Sequence, residues 1–228
     1  MNKPFSVAID GPSGAGKSTL ARRAAARFGF LYVDTGAIYR CVGLSCLRRG
    51  IDTKDAPAVK ALLPELQIRM AYNKAGEQRM FLGEEDVSAE IRLPEVSIAA
   101  SNVSAMPAVR AFLLEMQREL ARKNRVIMDG RDIGTVVLPN AELKVFLTAS
   151  AEARAKRRLL ELQQKGVETS FEDVLRDILY RDEQDSSRTA APLKQAEDAV
   201  LLDTSDIGLE ESVDALCGII AKRLGELA

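Results

Sequence analysis

Gly11, Gly16, Lys17 and Ser18 stand in the spacing G-x-x-x-x-G-K-S within the run AIDGPSGAGKST. That spacing supports the binding of a polyphosphate. Gly11, Gly14 and Gly16 let the backbone turn tightly and aim its N–H groups inward. A helix beginning here adds the positive end of its dipole. Lys17 reaches the outer phosphates, and Ser18 offers its hydroxyl to Mg²⁺. Pro12, Ser13, Ala15 and Thr19 complete the wall of the cradle. Motors, switches and kinases all use such a loop, so it names a ligand class without naming a reaction.

More positive charge is placed outside the loop. DTGAIYR carries Tyr39 and Arg40, and DGRDIGT carries Arg131 and Asp132 between glycines. Each segment follows a short apolar run that reads as a strand, and ligands of strand–helix sheets gather where strands end. A second anion beside the first is the economical explanation. The flanking glycines of DGRDIGT favour close backbone approach to that ligand. RDEQDSSR adds Arg181, Asp185 and Arg188 at i, i+4 and i+7, one face of a helix. Arg154, Arg157 and Arg158 cluster on another predicted helix. Plainer readings stand beside these. Arg40 can pair with a carboxylate on a helix surface, and Asp177, Arg181 and Asp185 can form a salt-bridged solvent face. Asp129 reads as a carboxylate on the magnesium side.

Composition narrows the chemistry. The 228 residues carry 32 basic and 33 acidic side chains, and 46% are hydrophobic. That suffices for one core with a small insert. A near-neutral balance disfavours a nucleic-acid partner. There is no histidine, which removes the usual general base, the usual zinc ligand and every serine–histidine triad. The chemistry must run on carboxylates, arginines, Lys17 and a metal. Arginines outnumber lysines 21 to 11, which favours forked phosphate recognition. Cys41, Cys46 and Cys217 are odd in number and form no C-x-x-C, as in a reduced cytoplasmic protein. No signal peptide and no membrane span are expected from the apolar runs.

The elements that must hold these groups alternate. Strands are expected at 5–9, 31–34, 125–129, 143–147 and 199–203. Helices are expected at 19–28, 36–49, 55–63, 93–104, 107–122, 151–164, 171–187 and 209–224. Thr35 is placed to cap the helix at 36. This rhythm predicts a five-stranded parallel sheet with helices on both faces. From Leu66 the texture changes: LQIRMAY, NKAGE and QRMFLGEEDV read as a small antiparallel β insert turning at Asn73 and Gly76. The polar QQKGVETS between two long helices suits a moving flap.

Together, IDGPSGAGKST, DTGAIYR, DVSAEIR, DGRDIGT, RDEQDSSR and the APL at Ala191–Leu193 resemble the bacterial cytidylate kinases, which are P-loop nucleoside monophosphate kinases. The resemblance runs almost the whole chain, and DTGAIYR followed by DGRDIGT is its specific part. It implies one P-loop kinase domain over 1–228. Within it, 1–63 and 93–228 form the core, about 151–188 the helical lid, and 64–92 the insert of the nucleoside monophosphate region. It also implies transfer of the γ-phosphoryl group of ATP to CMP and dCMP, with Mg²⁺, in a monomer. Arg40, Arg131 and Arg188 are then expected on the acceptor phosphate. Ser101, Arg110 and Asp132 are expected on cytosine, and Arg181 and Asp185 on the ribose. Thr35 and Tyr39 join the same substrate group, and Arg157 and Arg158 belong to the lid over ATP. Lys17, Arg131 and Arg188 are the expected catalytic charges. Some members carry Ser where this chain has Thr35, which keeps the hydroxyl.

The rivals are a GTPase switch, a non-catalytic nucleotide sensor, and a kinase for another acceptor such as UMP. The switch needs Asp-x-x-Gly, and no Asp here has Gly three places on. The sensor leaves the arginines outside the P-loop unexplained.

Overall fold

The computed structural model describes residues 4–164 and 166–227. The chain opens with β1 (Phe5–Asp10), α1 (Lys17–Phe28), β2 (Leu31–Asp34), α2 (Thr35–Arg48) and α3 (Ala56–Leu62). The insert follows as β3 (Ile68–Tyr72), β4 (Gln78–Leu82) and β5 (Glu85–Asp86). Then come α4 (Pro94–Ser104), α5 (Pro107–Lys123), β6 (Arg125–Gly130) and β7 (Leu143–Thr148). The chain closes with α6 (Ala151–Gln164), α7 (Phe171–Ser187), β8 (Val200–Asp203) and α8 (Leu209–Glu226).

Five parallel strands lie in the order β2-β6-β1-β7-β8. Both faces are covered, which is why β1 reads FSVAID without polar alternation. Val7 and Ile9 face α1 and α8, packing on Leu20, Ala24, Leu216 and Ile220. Ala8 faces the other way, with Val33, Met128 and Ala121 of α5. The register aligns the carboxyl ends: Asp10 lies opposite Gly130, and Asp34 opposite Asp129. Three buried aspartates are thereby brought to one edge.

The insert is a three-stranded antiparallel sheet in the order β3-β4-β5. Its turn is made by Asn73, whose Oδ1 accepts the Ala75 and Glu77 N–H groups, and by Gly76. Ile68, Met80 and Val87 share one core with α2 and α4, so the insert is seated on the body. At Gly43 of α2, a Cβ would stand 2.8 Å from the Ala100 nitrogen, so only glycine allows α2 and α4 to meet this closely. α6 and α7 form a helix pair with a small apolar seam of Ala155, Val174 and Ile178.

One helix end differs from expectation. Thr35 is the first residue of α2, and Asp34 caps it, accepting the Ala37 N–H at 3.0 Å. The Thr35 hydroxyl is committed elsewhere: it donates to the Asp129 carbonyl at 2.7 Å, across the β2–β6 pairing. Cys41, Cys46 and Cys217 are buried and unbridged. Among the described residues no single helix is long and apolar enough to cross a membrane.

Candidate active site

The glycine loop joins β1 to α1, and its geometry follows from crowding. A Cβ at Gly11 would lie 1.9 Å from the Leu147 carbonyl oxygen of β7, so a side chain there would push the loop off the sheet. Lys17 is buried and donates to the Gly11 and Pro12 carbonyls, both at 2.7 Å. Burial and then the charge of Arg131 push its ammonium down from the usual lysine value, against Asp129, Asp185 and Asp10. Ser18 Oγ donates to Asp129 Oδ2 at 2.8 Å, and Tyr32 donates to the other carboxylate oxygen at 2.9 Å. Burial and the neighbouring Asp34 raise the Asp129 carboxyl above its ordinary range.

Ser18 and Asp129 thus put two oxygen donors at the mouth of the loop, a donor set suited to a hard divalent ion. Among the described residues no group of three or more His, Cys, Asp or Glu side chains stands together to hold a metal. An ion here would therefore take its remaining ligands from phosphate and water.

The second set of cations comes from the loop after β6, from α2 and from the end of α7. Arg131 follows β6, and its Nε donates to Asp185 Oδ2 at 2.6 Å. Arg188, just beyond α7, binds the other oxygen of the same carboxylate. Burial alone would raise the Asp185 carboxyl, but the charges of Arg131 and Arg188 hold it below its ordinary value. Arg40 of α2 lies 3.9 Å from Asp34. Burial lowers the proton affinity of Arg40, and the nearby charges of Arg92 and Arg131 add to that, with Asp34 opposing. Lys17, Arg40, Arg131 and Arg188 therefore occupy one electrostatic neighbourhood. Arg110 of α5 pairs with Asp132, donates to the Ser104 carbonyl at 3.1 Å, and rides 5.6 Å over the Tyr39 ring. Both members of the Arg110–Asp132 pair are nearly closed to solvent.

Not every expected residue converges in this way. Ser101 is exposed on α4, one turn before Ser104. Arg181 is exposed on α7 and pairs with neither Asp177 nor Asp185. Arg157 binds the Thr204 and Ile207 carbonyls in the loop after β8, and Arg158 pairs with Glu161 on its own helix. The glycines flanking Arg131 give no ligand space. A Cβ at Gly130 would meet the Ile133 side chain at 2.6 Å and the Thr35 hydroxyl at 2.9 Å. At Gly134 it would meet Lys144 at 3.1 Å and Asp10 at 3.3 Å. Protein packing accounts for glycine at 130, and at 134 it leaves a side chain only a tight fit.

Two positioning groups, Asp10 and Gln78, escaped the reading of the sequence, and a third, Arg154, was read only as one of a basic cluster. Asp10 ends β1, and its carboxylate accepts the Ile133 and Gly134 N–H groups, both at 2.7 Å. It thereby ties the strand that feeds the glycine loop to the loop that carries Arg131 and Asp132. Burial pushes the Asp10 carboxyl up to about 6, against those two hydrogen bonds. Residues 133–137 then form one π-helical turn, a distortion common near functional sites. Arg154 of α6 is buried and spends its guanidinium on Ala149, on the Ser13 carbonyl of the glycine loop, and on Asp182 of α7. Gln78 of the insert brackets Asp34, accepting its N–H at 2.8 Å and donating to its carbonyl at 3.1 Å. An aspartate ending an apolar run was the one available sequence signal for Asp10.

Comparison with known proteins follows this geometry. The sequence pattern of the family described as Cytidylate kinase matches residues 7–222. A protein named cytidylate kinase from Carboxydothermus hydrogenoformans is 49% identical over 217 residues, covering 95% of this chain and 97% of its own. Another of that name, from Syntrophotalea carbinolica, is 45% identical over 223 residues, covering 98% and 94%. Among solved structures, a gluconokinase from Sinorhizobium meliloti 1021 superposes with a TM-score of 0.51 at 16% identity, covering 100% of this chain and 97% of that one. That likeness speaks to the fold.

Proposed function

The chain belongs to the cytidylate kinase family of ATP-dependent phosphotransferases, and from that premise we propose that it transfers the γ-phosphoryl group of ATP to CMP and dCMP. The products are ADP and CDP or dCDP. The observation that carries this reading is the set Arg40, Arg131 and Arg188. It stands beside Lys17 at the carboxyl edge of the sheet but outside the glycine loop.

A phosphate monoester is largely dianionic at neutral pH, its second pKa being about 6. It needs no general base, in keeping with a chain that has no histidine. A phosphate oxygen of CMP attacks the γ-phosphorus, a new P–O bond forms, and the bond to the β,γ-bridging oxygen breaks with its electron pair leaving on ADP. The obstacle is repulsion between two polyanions. Arg131 and Arg188 exchange Asp185 for phosphate oxygens, Arg40 approaches from α2, and Lys17 turns from the loop carbonyls to the outer phosphates. A well-placed arginine contributes on the order of 10³ to 10⁵ in rate to such transfers. Ser18 and Asp129 would hold Mg²⁺, which neutralises charge on the β- and γ-phosphates when bound.

Arg110 and Asp132 set the base. The guanidinium donates to the cytosine carbonyl and the carboxylate accepts from its amino group. Uracil would set a carbonyl against Asp132, acceptor against acceptor, which a buried site rejects strongly. Ser101 and Arg181 would come to base and ribose from their exposed places, and Arg157 and Arg158 to the donor nucleotide with the α6–α7 lid. Closing that lid would exclude water from the γ-phosphate. We place the chain in the cytoplasm, in keeping with three buried cysteines that form no bridge, and take it as a monomer by its family.

A panel of nucleoside monophosphates with ATP and Mg²⁺, read by coupled ADP detection, tests the proposal. CMP should give the highest kcat/KM, followed by dCMP. Equal or faster use of AMP, GMP or UMP would overturn the substrate assignment.

A further inference from the structure

Arg92 belongs to none of the groups assigned so far, yet it shares a carboxylate with one of them. Its Nη2 lies 2.8 Å from Asp34 Oδ2, the oxygen that Arg40 approaches at 3.9 Å. Asp34 already serves the Ala37 N–H through its other oxygen. Two guanidinium groups from different elements thus converge on one buried carboxylate at the end of β2. The side chain of Asp34 is 9% exposed, and that of Arg92 is 53% exposed.

The backbone beneath Arg92 is fixed, while its side chain, paired with Asp34, is half exposed. Glu90–Arg92 form a single 3₁₀ turn directly after the insert. Ile91 is buried in the core shared with α2 and α4. Glu90 is held by Arg48 of α2, which also forks onto Glu85 of β5. Gln78 of β4 brackets the backbone of Asp34 from the same side. The insert therefore fastens both to the far side of α2 and to the strand end where the acceptor set begins. The charge of Arg92 is felt at Arg40. A half-exposed arginine on a rigid turn, beside an arginine assigned to a phosphate, has the reach and the charge to bind that phosphate as well.

We infer that Arg92 is a fourth arginine of the acceptor-phosphate site, which exchanges Asp34 for an oxygen of the CMP phosphate, and that the antiparallel insert supplies the rigid base from which it reaches. This inference rests on the proposed function, because it takes the acceptor to be a nucleoside monophosphate. The alternative is an ordinary half-exposed salt bridge, whose loss would cost less than about fivefold in any binding constant. A charge-assisted hydrogen bond to a phosphate is worth about 10- to 100-fold.

The test compares dissociation constants of CMP and of cytidine, which lacks the phosphate, by calorimetry, together with KM for ATP. It uses the full chain and the variants Arg92→Ala, Arg92→Lys, Asp34→Asn and Arg92→Ala/Asp34→Asn, with Arg131→Ala as reference. Arg92→Ala should weaken CMP by about 10- to 100-fold and leave cytidine and ATP within about twofold. Arg92→Lys should recover part of the loss, since it keeps the charge without the fork. The loss should persist when Asp34 is already Asn, because the lost contact is to the ligand. Equal weakening of CMP and cytidine would overturn the inference, as would a loss that vanishes in the Asp34→Asn background. So would a change in CMP below about fivefold while Arg131→Ala is strongly impaired; in that case the proposed function stands. A wild-type chain that neither binds nor phosphorylates CMP would overturn both.

Discussion

Replacing Asp10 by Asn separates what this carboxylate does for stability from what it does for the site. Asp10 is 5% exposed and accepts two backbone N–H groups of the acceptor loop at 2.7 Å. Its carboxyl is raised from 3.8 to about 6, chiefly by burial. A carboxyl raised in the folded state favours folding most when it is protonated. Its contribution is therefore fully present below about pH 4 and is lost as pH rises through 6, the reverse of a salt-bridged carboxylate. At about 1.4 kcal/mol per pH unit, the wild type should lose about 3 kcal/mol between pH 4 and pH 7 relative to Asp10→Asn, which does not titrate. Urea unfolding of both proteins at pH 4, 5, 6 and 7 measures this directly. Activity should move the other way. Asn keeps one acceptor and turns an amide N–H toward one of the two donors, so the loop carrying Arg131 and Asp132 loses half of its clamp. KM for CMP should rise by about tenfold or more at pH 7.5, with KM for ATP changing far less. Parallel stability profiles with an unchanged KM for CMP would refute the role given to Asp10.

Two further outcomes follow from packing. Gly11→Ala forces a methyl group to within 1.9 Å of the Leu147 carbonyl oxygen, so the glycine loop must shift by an ångström or more. Its kcat/KM for ATP should fall by about 100-fold, and retention within tenfold would show that the loop tolerates the move. Arg154→Met leaves Asp182 and the Ser13 and Ala149 carbonyls without their guanidinium partner. Stability should drop by about 3–5 kcal/mol in urea unfolding, with a raised KM for ATP. A loss under about 1 kcal/mol would mean that the buried strut is dispensable.

The sequence made visible whatever depends on near neighbours. The glycine loop is one contiguous spacing, and the five strands are short apolar runs whose ends the register aligns. The insert announced itself by a change of period and a turn at Asn73 and Gly76. What stayed hidden depends on distant partners. Asp10 acts on residues more than a hundred positions away, and Arg154 on Ser13 at a separation of 141. Thr35 looked like a cap because it precedes a helix, yet β2–β6 pairing offers its hydroxyl a carbonyl and leaves Asp34 to cap. The glycines around Arg131 looked like ligand space because sequence does not show Ile133, Thr35 and Lys144 closing over them. Arg92 closes the segment DVSAEIR, but only the folded insert sets it beside Asp34.

The central claim is that two polyanions bind side by side, one in the glycine loop and one on the converging arginines. A cytidine and an adenosine joined by five phosphates tests it most directly, through inhibition kinetics in both substrates. The account predicts competition with ATP and with CMP alike, and a loss of the CMP component in Arg131→Ala. Competition with ATP alone, unchanged in Arg131→Ala, would contradict it.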